Sequence, residues 1–432
     1  MKDFFKRLLG LGLPKDALIS PHGIILTLGE DRKGVLHGTT RSANALVAGG
    51  TSRDRIEKII IPTLFRGTSA SYVVDDPTGE VFAVTAAARA RLGPVSRIQW
   101  GAGRWDAQCR YNPIAEGNLG DDPDTRSRRL RSIAEAIVIE PTELHSAHSP
   151  GVSQEADAEI QGQAISVLWG LLELACNQVQ SFGGLPLTDP TLHAICNVLL
   201  RAPLSGSIGD YVRTAEGSDN GRALFELRAF ADLPDDRRKA IAHIVNSRML
   251  AFYPEKIAWL TAQGRSHWEV HERFVPADAV ANDGPVTVYV NCPRQYGEDH
   301  AGPNILTQIL WRHIIDEALH AEDRPDKSRA RRDEIFLFTD CEQILPIPGI
   351  GPLAAQAGAA GLSVLVSCDD TSALDRLYGP AEAQTIKENV GIEIDCAQNA
   401  PQFIRRGPDQ PVLRPLNGMS SFLLPAPRAH RL

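Results

Sequence analysis

The sequence predicts an α/β protein with a mainly parallel sheet, interrupted by an inserted all-helical segment. Three observations carry this expectation. Short β-rich runs alternate with spacers long enough for crossover helices in the first third of the chain. The middle third carries apolar residues at three- and four-residue spacing. Beyond Gly284 near-continuous apolar runs appear, of the kind that belongs to strands buried on both faces.

In chain order, "NALVAG" (Asn44 to Gly49), "SYVVDD" (Ser71 to Asp76) and "SRIQWG" (Ser96 to Gly101) read as strands. From Gln154 to Gln180, residues Ile160, Ala164, Val167, Leu168, Leu171 and Leu174 mark one face of a long helix,. Further helical patterns lie around Thr191 to Leu200, Ala223 to Phe230 and Asp235 to Leu260. Strand character returns in "GPVTVYVN" (Gly284 to Asn291), "EIFLFTD" (Glu334 to Asp340), "LSVLVSC" (Leu362 to Cys368) and "VGIEIDC" (Val390 to Cys396). The Pro-rich end from Gly407 reads as an irregular tail that pairs an edge strand or lies over the sheet. The expected division is residues 1–150 and 276–432 for a split α/β domain, with 151–275 as the helical insertion.

Composition narrows the function classes. At 432 residues and 43% hydrophobic content the chain is globular and too apolar to be mainly disordered,. A net charge of −8 argues against coating nucleic acid or an anionic membrane through an overall field,. The seven cysteines (109, 176, 196, 292, 341, 368 and 396) form no Cys-x-x-Cys pair, which fits reduced, buried thiols and a cytoplasmic protein,. No apolar run approaches the roughly 20 residues of a membrane span. The first residues, "MKDFFKRLLGLGLPKD", read as an amphipathic helix packed on the protein, an interfacial helix being the alternative,.

The stretch from Asn44 to Phe65 has the layout of a phosphate-binding loop: an apolar run, then glycines, then a helix. Such a loop needs G-x-x-x-x-G-K-[ST], whose glycines bare the backbone N–H groups, whose lysine reaches the phosphates and whose hydroxyl holds magnesium. Counting from Gly49, with Gly50 and Thr51 following it, the last three positions are Asp54, Arg55 and Ile56. Asp54 adds a side chain and a negative charge; a unit charge pair at about 4 Å is worth roughly 4 kcal/mol at an effective dielectric near 20. That is on the order of a thousandfold in affinity. Arg55 is a planar fork in place of a compact ammonium, and Ile56 has no hydroxyl.

The surroundings of this loop resemble the coupling ATPases of type IV secretion and bacterial conjugation, the TraG/TraD-like DNA translocases. "IIIPTLF" (Ile59 to Phe65) and "VVDDPTGE" (Val73 to Glu80) are similar to that family's "IPTLL" and "DPKGE". "YNPI" (Tyr111 to Ile114), "GPVTVYVNCP" (Gly284 to Pro293) and "EIFLFTDCEQILPIPGI" (Glu334 to Ile350) resemble its "YNPL", its re-entering strand and its Walker B region. "LSVLVSCDDTSALDRLYG" and "TIKENVGIEI" continue the likeness, which spans roughly residues 40 to 400. The resemblance implies a RecA-like P-loop NTPase fold, split by the helical insertion.

The departures fall at chemical positions. Asp340 matches the Walker B aspartate, but Cys341 stands where the catalytic glutamate belongs. Glu342, a weak catalytic candidate, sits one position off and faces away from Cys341 in a continuing strand. Asp369 replaces the glutamine that reads the γ-phosphate, and Thr78 replaces the lysine of "DPKGE", behind Asp76. Phosphoryl transfer needs cradle, metal ligands and water-positioning group together. The expectation is therefore a remnant of a nucleotide site at Gly49, Gly50, Thr51, Asp54, Arg55, Asp76 and Asp369 in a non-catalytic binding or scaffolding protein. No cofactor is expected; ATP with Mg2+ enters only under the alternative of a divergent ATPase using Arg55, Asp340 and Glu342.

A third reading is a DNA-binding module using Arg126, Arg128 and Arg129 of "RSRRLR" and Arg331 and Arg332 of "KSRARR", with Arg405, Arg406 and Arg414. Acidic neighbours such as Asp122 and Asp333 favour a solvated face instead. His267 and His271 suit a metal only on a helix with a third ligand; their flanks predict a surface strand or loop, and His145 and His148 read alike. No metal site is expected. The expected partners are type IV secretion or relaxosome proteins, an intact coupling ATPase among them, with DNA and self-association open, and the expected place is the cytoplasm, at the inner membrane only through partners.

Overall fold

The structure, a computed structural model, describes residues 25–27, 36–38, 44–66, 70–100, 109–120, 122–139, 154–177, 182–185, 187, 190–218, 220–262, 272–273, 285–292, 301–320, 334–343, 346–396, 402–405 and 414–416. Strands β1 (Ile25–Thr27), β2 (Leu36–Gly38) and β13 (Arg414–Leu416) form a small antiparallel sheet. The main sheet contains β3 (Ala45–Ala48), β4 (Ser71–Asp75), β5 (Val95–Gln99), β8 (Thr287–Asn291), β9 (Glu334–Phe338), β10 (Leu362–Cys368), β11 (Ile392–Asp395) and β12 (Gln402–Arg405). Between them β6 (Cys109–Arg110) and β7 (Glu272–Arg273) make a short parallel pair.

The eight strands run in the order β12-β11-β3-β10-β9-β4-β8-β5. All pairings from β11 to β5 are parallel and only the edge strand β12 is antiparallel. This is the RecA-like α/β arrangement, in which one strand, β10, separates the strand before the glycines (β3) from the strand before Asp340 (β9). Each run expected as a strand of this sheet is one. The central strands β4, β9 and β10 are buried at every position because helices cover both faces,.

Alternation of side chains sorts the strands into two cores. Ala45, Val47, Tyr72, Val74, Tyr289, Ile335, Leu337 and Leu365 meet Ile56, Ile59, Ile60, Ile61 and Leu64 of helix 52–66, and Val81 of the helix Glu80–Arg89. On the other face Leu46, Val73, Val288, Phe336, Phe338, Val364 and Val366 join one larger cluster with the helices Ala301–Leu319, Ile350–Ala357 and Ser372–Glu388. The same cluster continues into the helical middle of the chain. There the helix Gln154–Cys176 packs against Pro123–Val138, Gly221–Ala231 and Asp235–Met249.

Two sequence expectations change in the helical part. The pattern from Asp235 to Leu260 is two helices, Asp235–Met249 and Glu255–Thr261, because Pro254 has no N–H to continue the first,. A further helix, Leu204–Gly217, stands where no helical pattern is evident in the sequence. Gly206, Gly209 and Gly217 dilute its apolar face to the buried Leu204, Tyr211 and Ala215. Of the tail, residues 414–416 pair with β2; the first 24 residues lie outside the described ones.

Polar staples lock these layers. Asn44 donates to Ala354 O (2.7 Å) and Asn389 O (2.9 Å) and accepts from Val364 N (3.1 Å), tying β3 to two helices and β10. The "YNPI" turn joins sheet to helices: Tyr111 Oη lies 2.6 Å from His313 Nδ1, Tyr111 N donates to Leu260 O, and Asn112 Nδ2 donates to Pro190 O. Burial drives the His313 imidazole down to about 3, so it stays neutral in this joint,.

Candidate functional site

The site is built at the carboxyl ends of β3, β9 and β10. Between Ala48, which closes β3, and Ser52, which opens helix 52–66, stand only Gly49, Gly50 and Thr51. Both glycines have positive φ (82° and 67°), and a Cβ on Gly50 would lie 2.6 Å from the carbonyl oxygen of Cys396. Thr51 is the N-cap: its Oγ1 accepts from Asp54 N (3.1 Å) and donates to Asp54 Oδ2 (2.6 Å). Thr51 thus caps the helix from its side chain, with Asp54 bonded back to the capping hydroxyl,. Lys58 first, then Thr51, hold the Asp54 carboxyl down to about 2, so it is ionised and paired with Lys58 (2.7 Å).

Because the helix begins at Ser52, Arg55 lies on its first turn and points inward. It is fully buried, and each nitrogen of its fork has an acceptor. Nε donates to Ser367 Oγ (2.9 Å), Nη1 to Gly49 O (3.1 Å) and Gly50 O (3.2 Å), and Nη2 to Asp369 Oδ1 (2.8 Å). Asp340 Oδ1 lies 3.8 Å from the same Nη2. The Gly49 N–H is bonded to Asp369 O (2.9 Å). Around this recess the backbone turns carbonyls inward, whereas a phosphate requires donors.

The acids form one cluster. One oxygen each from Asp340, Glu342 and Asp369 lie within 4.8 Å of one another, a donor set of the kind a divalent cation takes,. The Arg55 fork is already bonded within this set. Glu342 does not face away from the site: β9 ends at Phe338 and residues Cys341–Gln343 form a 3-10 turn. That turn brings Glu342 Oε1 to 2.8 Å from Asp369 N. Burial, together with the neighbouring Asp340 and Asp369 carboxylates, pushes the Glu342 carboxyl up to about 7,. Cys341 is fully buried, and burial raises its thiol well above the ordinary range.

Behind the cluster lies Asp75, 1% exposed, with its backbone oxygen accepting from Thr339 Oγ1 (2.7 Å). Burial first, then Asp76 and Asp340, push its carboxyl well up. Asp76 is used otherwise: its carboxylate accepts from Val81 N (3.3 Å) and Phe82 N (2.8 Å) and caps the helix Glu80–Arg89. Thr78 is exposed on the same turn. Ile56 packs beneath the sheet.

The arginine cluster of the helix Pro123–Val138 is no single solvated face. Arg128 is exposed, but Arg129 is buried and pairs with Asp316 (2.9 Å) and Glu317 (2.5 Å), bracing this helix against Ala301–Leu319. As a DNA contact Arg129 is therefore corrected to a structural ion pair. Arg126 is half-buried. Arg331, Arg332, Arg406 and the four histidines at 145, 148, 267 and 271 lie outside the described residues, as do the side chains of Arg405 and Arg414.

Sequence reasoning missed Ser367, Asp75 and the Thr51–Asp54 cap. The cap had a signal, a Thr followed three residues later by an acid just before an isoleucine run. Ser367 had none, since a serine inside an apolar strand declares no partner.

Comparisons with known proteins agree with this architecture. Residues 13–272 match the family model described as type IV secretory system conjugative DNA transfer. Among solved structures, the bacterial conjugative coupling protein TrwB in its sulphate complex superposes with TM-score 0.52 at 14% identity, covering 82% of this chain and 69% of that one. TrwB with ADP and Mg2+ gives 0.52 at 15% (81% and 70% covered), and its unbound form 0.53 at 15% (83% and 70%). No curated protein sequence matches the chain.

Proposed function

The chain belongs to the type IV secretory system conjugative DNA transfer family, and from that premise we propose that it works as a non-catalytic binding or scaffolding component of the transfer machinery, with a degenerate nucleotide site. The observation that carries this reading is Arg55. At the position where the family's loop lysine would meet phosphates, a guanidinium is buried against two loop carbonyls, Ser367 and Asp369. The short loop and the early helix cap support it, as does the absence of a hydroxyl at Ile56,. A nucleotide would have to displace a buried guanidinium that has an acceptor at each nitrogen, and approach Asp54, which is paired with Lys58.

The division into a split α/β domain over 1–150 and 276–432 around a helical insertion belongs to the same proposal, the helical part serving as the recognising surface. Its proposed partners are an intact coupling ATPase, a relaxosome protein or a secreted substrate. No helix among the described residues is long and apolar enough to cross a membrane; the proposed place is the cytoplasm, next to the inner membrane through those partners.

Affinity purification of the tagged chain from its native cells, with and without nuclease, tests this reading. Co-elution of a coupling ATPase or relaxase that survives nuclease is expected. Recovery of DNA alone, lost on nuclease treatment, would replace it with the DNA-binding reading.

One observation favours a second reading, a divergent ATPase. Asp340, Glu342 and Asp369 converge, and Glu342, near pH 7 in its titration, has the range of a general base,. DNA-stimulated phosphate release that vanishes in Asp340→Asn is its signature; a flat baseline removes it.

A further inference from the structure

We infer that the recess at the ends of β3 and β10 is a receptor for a guanidinium-type cation, occupied by the chain's own Arg55 as a latch. The inference rests on the non-catalytic reading above and adds to it the ligand class of the site. Its basis is the sign of the lining. Gly49 O, Gly50 O, Ser367 Oγ and Asp369 Oδ1 all accept from Arg55, and Asp340 Oδ1 lies 3.8 Å from its Nη2. Nε, Nη1 and Nη2 each have acceptors of their own, which fits a fork better than the point charge of an ammonium.

The lining also explains what the latch holds. Gly49 and Gly50 belong to the loop after β3, Ser367 and Asp369 to β10 and its end, and Asp340 to the end of β9. Gly49 N bonded to Asp369 O, and Asp369 N bonded to Glu342 Oε1, extend the same mesh. Removing the fork leaves the carboxyl groups of Asp340, Glu342 and Asp369 together, with oxygens within 4.8 Å of one another. Asp340 and Asp369 then lose the guanidinium that bridged them, and the carbonyls of Gly49 and Gly50 lose their donor, so the emptied site recruits a cation of matching shape.

Chemical complementation of Arg55→Ala in the full chain tests this. The probe is guanidinium chloride at low millimolar concentration, with sodium chloride and methylammonium chloride at equal ionic strength as controls. The variant is expected to melt lower than wild type, and guanidinium to restore about half or more of the lost Tm in a saturable way, as binding to the native state requires. Methylammonium restores less, sodium least, and the wild type gains nothing. Equal effects of guanidinium and sodium on the variant, or an equal gain in the wild type, would overturn the inference.

Should Arg55→Ala not fold, the wild type itself decides. The arginine Nε–H resonance missing from the spectrum of Arg55→Lys must exchange slowly with solvent, and exchange at the free rate contradicts the latch. Mg-ATP binding by wild type would overturn the non-catalytic reading without altering the rescue result. Absence of rescue would overturn the receptor and leave that reading in place.

Discussion

Arg55 shows how one side chain can set the character of a site. Burying a guanidinium costs several kcal/mol unless its donors are met, and here four of the five N–H groups have an acceptor while Asp340 lies 3.8 Å from Nη2,. Arg55→Ala is therefore expected to lower unfolding free energy by roughly 3 kcal/mol, read by urea denaturation, with Arg55→Lys losing less. Glu342 contributes in the opposite sense. Its carboxyl titrates at about 7 in the fold and at 4.5 when unperturbed, so the folded state binds more protons across that window. Stability from this group is fully present below about pH 4.5 and is lost as pH rises to about 7,. Glu342→Gln keeps the acceptor for Asp369 N and should flatten part of that slope in a pH series of melts; Asp75 and Asp76, also raised, sustain the remainder. An unchanged slope would show that Glu342 is not the titrating group. Residue identity was legible in the sequence, direction was not: spacing placed Arg55 at the lysine position, but only the helix start turns it inward.

At the scale of elements, the loop after β3 is held by a close approach and a cap. Gly50→Ala would set a Cβ 2.6 Å from Cys396 O at a φ of 67°, and is expected to cost about 1–3 kcal/mol in a denaturation series. Thr51→Ala removes the cap and should cost about 1 kcal/mol. A Gly50→Ala variant as stable as wild type would contradict the packing of this loop on β11. The strands were legible because apolar runs of four to seven residues between turn signals leave few other solutions. Helix Leu204–Gly217 was not, since three glycines mask its period. The 3-10 turn at Cys341–Gln343 was not legible either, because strand alternation carries no mark of where the strand stops. Motifs shared with the family turn out to be joints: Asp76 caps a helix, and "YNPI" ties the sheet to the helical part.

For the whole molecule, the two cores bury six of the seven cysteines as thoroughly as the strands. Cys176, Cys196, Cys292, Cys341, Cys368 and Cys396 are all buried and free, and burial raises each thiol. In the native state these six should react with an aromatic disulfide reagent only on unfolding; rapid reaction of several would deny the packing. The same molecule keeps the family's sheet while its strand ends carry acceptors and a buried guanidinium. That combination is the central claim, and isothermal titration of the full wild-type chain with Mg-ATP tests it most directly. No saturable heat up to about 1 mM, equivalent to a binding free energy weaker than about −4 kcal/mol, is the predicted result. Stoichiometric binding at micromolar strength, abolished by Arg55→Ala, would contradict it.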